Sequence, residues 1–533
     1  MFHEKFGIFK DAEGNAVSFI GSINESSRGW LYNEESFEVS FSWIDALKNR
    51  VNDKVNRFEK LWKGTAPNVI TYDFPMAARQ MLIVAAPKEI IPERRVEKEA
   101  FEPRQCQKDA KEKFIESNYI CLYEMATGAG KTKAALHSLR DLNSWRVLFI
   151  FVPNLDLVDQ WEKDVQQFYP DVFRIKCGSN YSGWKELLSL AVQARFPEKT
   201  IVIATYQSAT KAFYLSQLER IKPTVAACIF DEVHNVGSRE YSKLLRFRPD
   251  YRIGLSATPE RNFDDEGTKT ILNYFNNNEY QFTIKDAIRE GYLVEYEYYV
   301  EPYELTDEEW LSYKELTTKI NRYLHISDDG DENEALKMLM MKRADILKTA
   351  EGKEVLFRSM IQQIPNDKRT LVYGESKEHI AIYGEILKEL SKDYYTYIGD
   401  VDAKKVRPVM LKHFEIGIKK ILLAIDCLDE GVDLPKCDAA IFLSSSTSDR
   451  QYIQRRGRVL RSRKGKNRAY VYDFLTIPPF NPRDEEEQKM AINLVSKEFR
   501  RIEMVAADAI NGSTIMNELE KTLDHYGLNI FKF

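Results

Sequence analysis

The sequence predicts an α/β protein: two tandem domains, each a parallel sheet flanked by helices, with a helical insertion, a small α/β fragment in front and a helical tail behind. Three observations carry that prediction. Short apolar runs such as Val147-Leu148-Phe149-Ile150-Phe151-Val152 alternate with amphipathic segments, as in sheets covered on both faces. The alternation stops over a strand-poor stretch at 304–365 and then resumes. A glycine-rich turn, Ala126-Thr127-Gly128-Ala129-Gly130-Lys131-Thr132, separates the apolar run 119–123 from a helical pattern at 133–140.

The elements fall in order. Residues 1–85 mix strand-like runs (17–20 and 37–41) with a helical stretch near 43–62, and the charged stretch 86–99 reads as a linker. Residues 100–285 form the first alternating domain, with clear strands at 147–152, 201–204 and 225–230. A connecting strand and the helical insertion occupy 286–365. The second domain spans 366–478, with strands near 370, 420, 439 and 470, and 479–533 is a helical tail.

Composition bounds the function. At 44% hydrophobic and 30% charged, the chain has ample core and a soluble surface. It contains no run of about 18 apolar residues and begins without a signal-peptide core, so no membrane association and a cytoplasmic location are expected. Six cysteines without paired zinc spacing read as reduced, buried thiols. A net charge of −5 points to no polyanion, but positive charge is concentrated at 455–468, where a cleft would focus it.

The glycine-rich turn carries the chemistry. Gly128 and Gly130 let backbone N–H groups point inward around an anion, and the helix opening at Lys131 adds its dipole. Lys131 is placed to reach the outer phosphates of a nucleotide, and the Thr132 hydroxyl to ligate Mg²⁺. The strict G-x4-G-K-[ST] pattern is not met, because Met125 stands at the first glycine position. Asp231 and Glu232 follow an apolar strand directly, which puts both carboxylates at the sheet's ligand-binding end. Asp231 there suits Mg²⁺, and Glu232 suits orienting and deprotonating a water.

Together, A-T-G-x-G-K-T, D-E-x-H at 231–234 and Ser256-Ala257-Thr258 resemble the motifs of superfamily 2 helicases and translocases. Other signatures follow in the expected order. Arg104 and Gln107 resemble the adenine-reading element, Gln107 offering its amide to the base. Pro153-Asn154 and Thr205-Tyr206-Gln207 stand where the first domain of that family contacts a nucleic-acid backbone, and Ser256 and Thr258 where it couples the two activities. Gly431 and Asp433, in Glu430-Gly431-Val432-Asp433-Leu434-Pro435, match the second-domain element linking nucleic acid to nucleotide. Gln454-Arg455-Arg456-Gly457-Arg458-Val459-Leu460-Arg461 places Arg458 and Arg461 in arginine-finger positions, with Gln454 beside them.

The resemblance covers roughly residues 100–478 and implies tandem RecA-like domains that hydrolyse Mg-ATP between them. It looks closest to the branch of type III restriction subunits and the repair translocase with a D-E-x-H box, which implies duplex DNA as the favoured partner. An RNA helicase, and an ATP-gated clamp on DNA that does not unwind it, stay open as alternatives.

Residues 1–85 carry a second resemblance. His3-Glu4-Lys5 with Gly21-Ser22-Ile23-Asn24 is similar to the H-x-K … G-S-x-N signature of phospholipase D-like nucleases, in which the histidine attacks phosphorus while lysine and asparagine hold its oxygens. His3, Lys5 and Asn24 are the candidate nuclease residues. One such motif is half a site in that family. The fragment is therefore expected either to be completed by a homodimer or second subunit, or to serve only for docking. Restriction, repair or anti-phage defence is the setting this architecture suggests.

Overall fold

The computed structural model describes residues 5–21, 37–63, 65–66, 101–196, 199–260, 264–326, 334–398, 407–425, 437–443, 449–463, 465–479 and 485–525. His3, Asn24, Gly431 and Asp433 lie outside the described residues. The chain divides into two compact units, Met1–Ala100 and Phe101–Phe533.

In the first unit β1 (Lys5–Lys10), β2 (Ala16–Gly21) and β3 (Phe37–Phe41) make an antiparallel meander in that order, followed by the helix Asp45–Trp62. Its first turn is closed by Asp11, whose carboxylate accepts from Asn15 N and Nδ2, both at 2.7 Å, with Gly14 at φ +88°. Lys5, half of the H-x-K pair, opens β1.

The second unit contains two sheets, each parallel throughout. The first uses β4 (Ile120–Met125), β5 (Val147–Val152), β6 (Phe173–Cys177), β7 (Thr200–Thr205), β8 (Ala226–Asp231), β9 (Tyr251–Ser256) and β10 (Glu279–Phe282), in the order β10-β4-β9-β8-β5-β7-β6. Strand β5 shows why it forms. Leu148, Ile150 and Val152 pack into one apolar core, Phe149 and Phe151 into another, and all six residues are buried. A period of two on a strand wet on neither face demands an uninterrupted apolar run.

The second sheet uses β11 (Glu295–Glu304), β12 (Thr370–Tyr373), β13 (Tyr394–Tyr397), β14 (Ile421–Ala424), β15 (Ala439–Phe442) and β16 (Arg468–Ile477), in the order β11-β16-β15-β12-β14-β13. The strand expected as a connector is thus the edge of this sheet, paired with β16 from Glu295↔Arg468 to Glu304↔Ile477. Helices Asp307–Ile326, Glu334–Lys348 and Gly352–Gln363 form the insertion, and Glu485–Ala506 and Gly512–His525 form the tail. Among the described residues no helix is long and apolar enough to cross a membrane. The five described cysteines are free and buried.

Two interior histidines make the fold acid-sensitive. Burial first, then nearby cations (Lys111 and Arg140 at His137, Lys353 at His379), pushes both imidazoles down to about 4. As pH falls below 6.5 the unfolded imidazoles take protons that the folded ones refuse until about 4. The stability present above 6.5 is therefore lost through that window, by about 3 kcal/mol at the more deeply buried His379 and by less at His137. Urea denaturation at pH 7 and pH 5 checks this. His379→Gln should show a smaller drop between the two, and an identical drop would refute the assignment.

Candidate active site

Strand β4 delivers the chain into the loop 126–130, where Gly128 (φ +93°) and Gly130 (φ +91°) hold a conformation that residues with a Cβ avoid. The helix Lys131–Arg140 starts directly behind. Lys131 Nζ lies over the loop and donates to Met125 O at 3.2 Å. Two preceding residues brace it from outside. Arg104 Nη1 donates to Gly128 O (3.2 Å) and Ala129 O (3.3 Å), and its guanidinium stacks 4.7 Å from the Tyr292 ring. Gln107 Nε2 donates to Gly130 O at 3.2 Å while its Oε1 accepts from Arg104 N at 3.0 Å. Both ends of the Gln107 amide thus bond backbone and the residue is 1% exposed, so it clasps the loop from the cavity wall.

Strand β8 ends on Asp231, which is buried. Its Oδ2 accepts from Trp161 Nε1 at 2.7 Å, its Oδ1 from Glu232 N at 3.1 Å, and its carbonyl from Tyr206 Oη at 2.7 Å. Burial, then the charge of Glu232, raises this carboxyl well above the usual carboxylate range, against the Trp161 bond and the Lys131 charge. Glu232 sits at φ +46°, an uncommon conformation that aims its side chain at the cleft. Its Oε2 is 3.5 Å from His234 Nδ1 and accepts no hydrogen bond among the described residues.

The second sheet closes the other side. Helix Asp449–Val459 lies so near the loop that a Cβ on Gly457 would fall 2.6 Å from Thr127 Cβ and 3.2 Å from Thr127 O. The approach is pinned from below, where Leu293 bridges to Arg461 and Val294 N donates to Leu460 O at 2.9 Å. A cavity of about 540 Å³ remains between the domains, within the roughly 300–1,000 Å³ range of small-molecule sites. Arg104, Gln107, Thr127, Gly128, Gly130, Lys131, Thr132, Asp231 and Glu232 line it from the first domain, and Arg458 and Arg461 from the second.

This donor set fits Mg²⁺. Thr132 and Asp231 share the cavity with Glu232, and a buried carboxylate raised by a neighbouring one is a place where a cation is stabilising.

Other predicted residues go elsewhere. Gln454 is 3% exposed and is not among the residues lining the cavity. Ala129, within the loop, is wholly buried and is not among the residues lining the cavity. Ser256 is buried at the end of β9, its Oγ accepting from Thr258 N at 3.0 Å. Of the expected nucleic-acid contacts, Thr205 and Tyr206 are corrected. Thr205 Oγ1 caps the helix Tyr206–Ala209, accepting from Ser208 N at 3.2 Å, and Tyr206 is 0% exposed with its hydroxyl on Asp231. Gln207 is exposed, while Pro153 and Asn154 are half-buried, Asn154 capping the helix Leu155–Phe168 through Leu157 N. Trp161 and Tyr206 therefore act as positioning residues for Asp231. For Trp161 the signal is the inward stripe 157, 158, 161, 165, 168 of its helix.

Two half-sites on facing parallel sheets, joined over a phosphate loop, define a two-domain nucleotide-hydrolysing class, and comparison with known proteins places the chain within it. The family model "Type III restriction enzyme, res subunit" matches residues 100–261, and "Helicase conserved C-terminal domain" matches 352–463. The chain therefore carries these two helicase domains in tandem, and the matches make it an ATP hydrolase.

Among its relatives is the "DNA 3'-5' translocase XPB2" of Sulfurisphaera tokodaii, 26% identical over 66% of this chain and 76% of that protein. The "Type I restriction enzyme EcoKI endonuclease subunit" of Escherichia coli is 23% identical over 65% of this chain and 32% of its own length. Two further relatives, from a Sulfolobus islandicus filamentous virus and Haloarcula marismortui, are spanned over 46% and 50% of their lengths. The solved "ATP-dependent Type ISP restriction-modification enzyme LlaBIII bound to DNA" shares the fold, with a TM-score of 0.51 at 16% identity over 77% of this chain and 30% of that one.

Proposed function

We propose that the chain is an ATP-driven DNA motor that moves along duplex DNA by opening and closing the cleft between its two sheets. The observation that carries this reading is the meeting, in one cavity, of Lys131, Asp231 and Glu232 from one sheet with Arg458 and Arg461 from the other. Lys131 holds the outer phosphates. Thr132 and Asp231 would hold Mg²⁺, which would neutralise phosphate charge. Glu232 orients and deprotonates the attacking water, and the two arginines stabilise charge that develops on the transferring phosphoryl group. Because the arginines ride on the second sheet, only the closed cleft is competent, and turnover couples to relative domain motion. DNA is favoured as the track on the strength of the relative named as a DNA translocase. Residues 1–85, with His3, Lys5 and Asn24, would add either a nuclease-like module completed by a second copy or subunit, or a module that only docks DNA.

The test is steady-state ATP hydrolysis by the whole chain alone and with duplex DNA, single-stranded DNA or RNA. Stimulation by duplex DNA is expected. Stimulation by RNA alone would move the protein to the RNA helicases. ATP binding without turnover in any mixture would overturn the motor in favour of an ATP-gated clamp.

A further inference from the structure

The helix Asp449–Val459 has a front and a back. Gly457 and Arg458 face the phosphate loop, while Tyr452 and Arg456, one turn apart, face the terminal helices. Tyr452 donates its hydroxyl to Asp473 Oδ2 on β16. The same oxygen accepts from Tyr298 on β11 at 2.7 Å and from Arg501 on the helix Glu485–Ala506. Arg501 also donates to Phe474 O at 3.0 Å and to Glu498 at 2.9 Å. Arg456 donates to the Tyr296 hydroxyl at 3.0 Å and pairs at 3.4 Å with Asp508, in the turn between the two terminal helices. In that turn Asn511 fastens the free edge of β11, accepting from Tyr298 N at 2.9 Å and donating to Tyr298 O at 2.8 Å.

Burying this many charges is costly unless each is paired, and an apolar core of the same volume would be no less stable. What the polar version adds is direction, because each bond fixes where the arginine-bearing helix sits. The tail lies beyond the matched helicase segment, which ends at residue 463.

We propose that the terminal helices 485–525 are a brace that sets the arginine finger, with Arg501 and Asp508 acting through Tyr452 and Arg456 as positioning residues for Arg458. A helix moves as a rigid rod, so a displacement at Arg456 is delivered whole to Arg458 two residues on. Transition-state stabilisation falls steeply with such misplacement, about 10²-fold for 1 Å. Whatever displaces the tail then switches hydrolysis without touching the nucleotide pocket.

This rests on the ATPase reading, and the readout is chosen to separate the two. The affinities of the whole chain for ADP and for ADP with aluminium fluoride, a mimic of the transferring phosphoryl group, are measured in the parent, Asp508→Asn and Asn511→Ala. Both sites are half-buried turn positions, so the variants should fold, which thermal melting checks. Expected is a tenfold or greater loss of the aluminium-fluoride preference in Asp508→Asn, with ADP affinity within twofold of the parent and the melting midpoint little changed. An unchanged preference in both folded variants would overturn the brace, as would ADP affinity falling in step with it. A parent chain that binds no ADP would bring down the ATPase reading itself, and the brace with it.

Discussion

Glu232→Gln should lower ATP turnover by about 10²–10⁴-fold while leaving ATP and Mg²⁺ binding close to the parent value. Glutamine keeps the length, the uncommon backbone at φ +46° and a partner for His234, and removes only the basic oxygen. Lys131, Thr132 and Asp231 remain to hold the nucleotide, so the loss falls on kcat alone. Single-turnover hydrolysis beside equilibrium binding of a fluorescent ATP analogue measures the two separately. Turnover within tenfold of the parent would assign the base to another residue.

Arg458→Ala should cost about 10³-fold or more in kcat, the order found where an arginine finger is removed. The residue is 9% exposed and reaches the cavity from the second sheet. The neighbouring Gly457 places it there, since only the missing Cβ lets this helix approach Thr127. Loss of Arg458 leaves that contact intact, so closure persists in a form that cannot discharge the phosphoryl group. If ATP affinity fell as far as turnover, Arg458 would be a ground-state contact instead.

Why the glycine loop, the acidic pair and the arginines that share the cavity could be placed from the sequence follows from their locality. Two left-handed glycines, a lysine at a helix start and carboxylates at a strand end each need only a few neighbouring residues to define their geometry. Alternating apolar runs were equally readable, because a strand buried on both faces can hardly be written otherwise. Gln107, Gln454, Thr205 and Tyr206 were not. Each is polar and stands at a motif position, yet whether it meets a ligand or the protein depends on what packs over it. Tyr206 meets the Asp231 carbonyl across 25 positions, and Trp161 reaches the Asp231 carboxylate across 70.

By itself, then, the sequence determined the α/β class, the order of the elements, the phosphate loop and the identity of the charges that can act on a nucleotide. Those follow from backbone preference, burial periodicity and ionisation, which are properties of short segments. Tertiary structure alone decided that β11 belongs to the second sheet, that Gln107 clasps the loop, and that the tail grips the back of the arginine helix. Pairings of this kind join residues far apart in sequence, and a polar side chain takes the partner that the assembled fold brings within hydrogen-bonding distance.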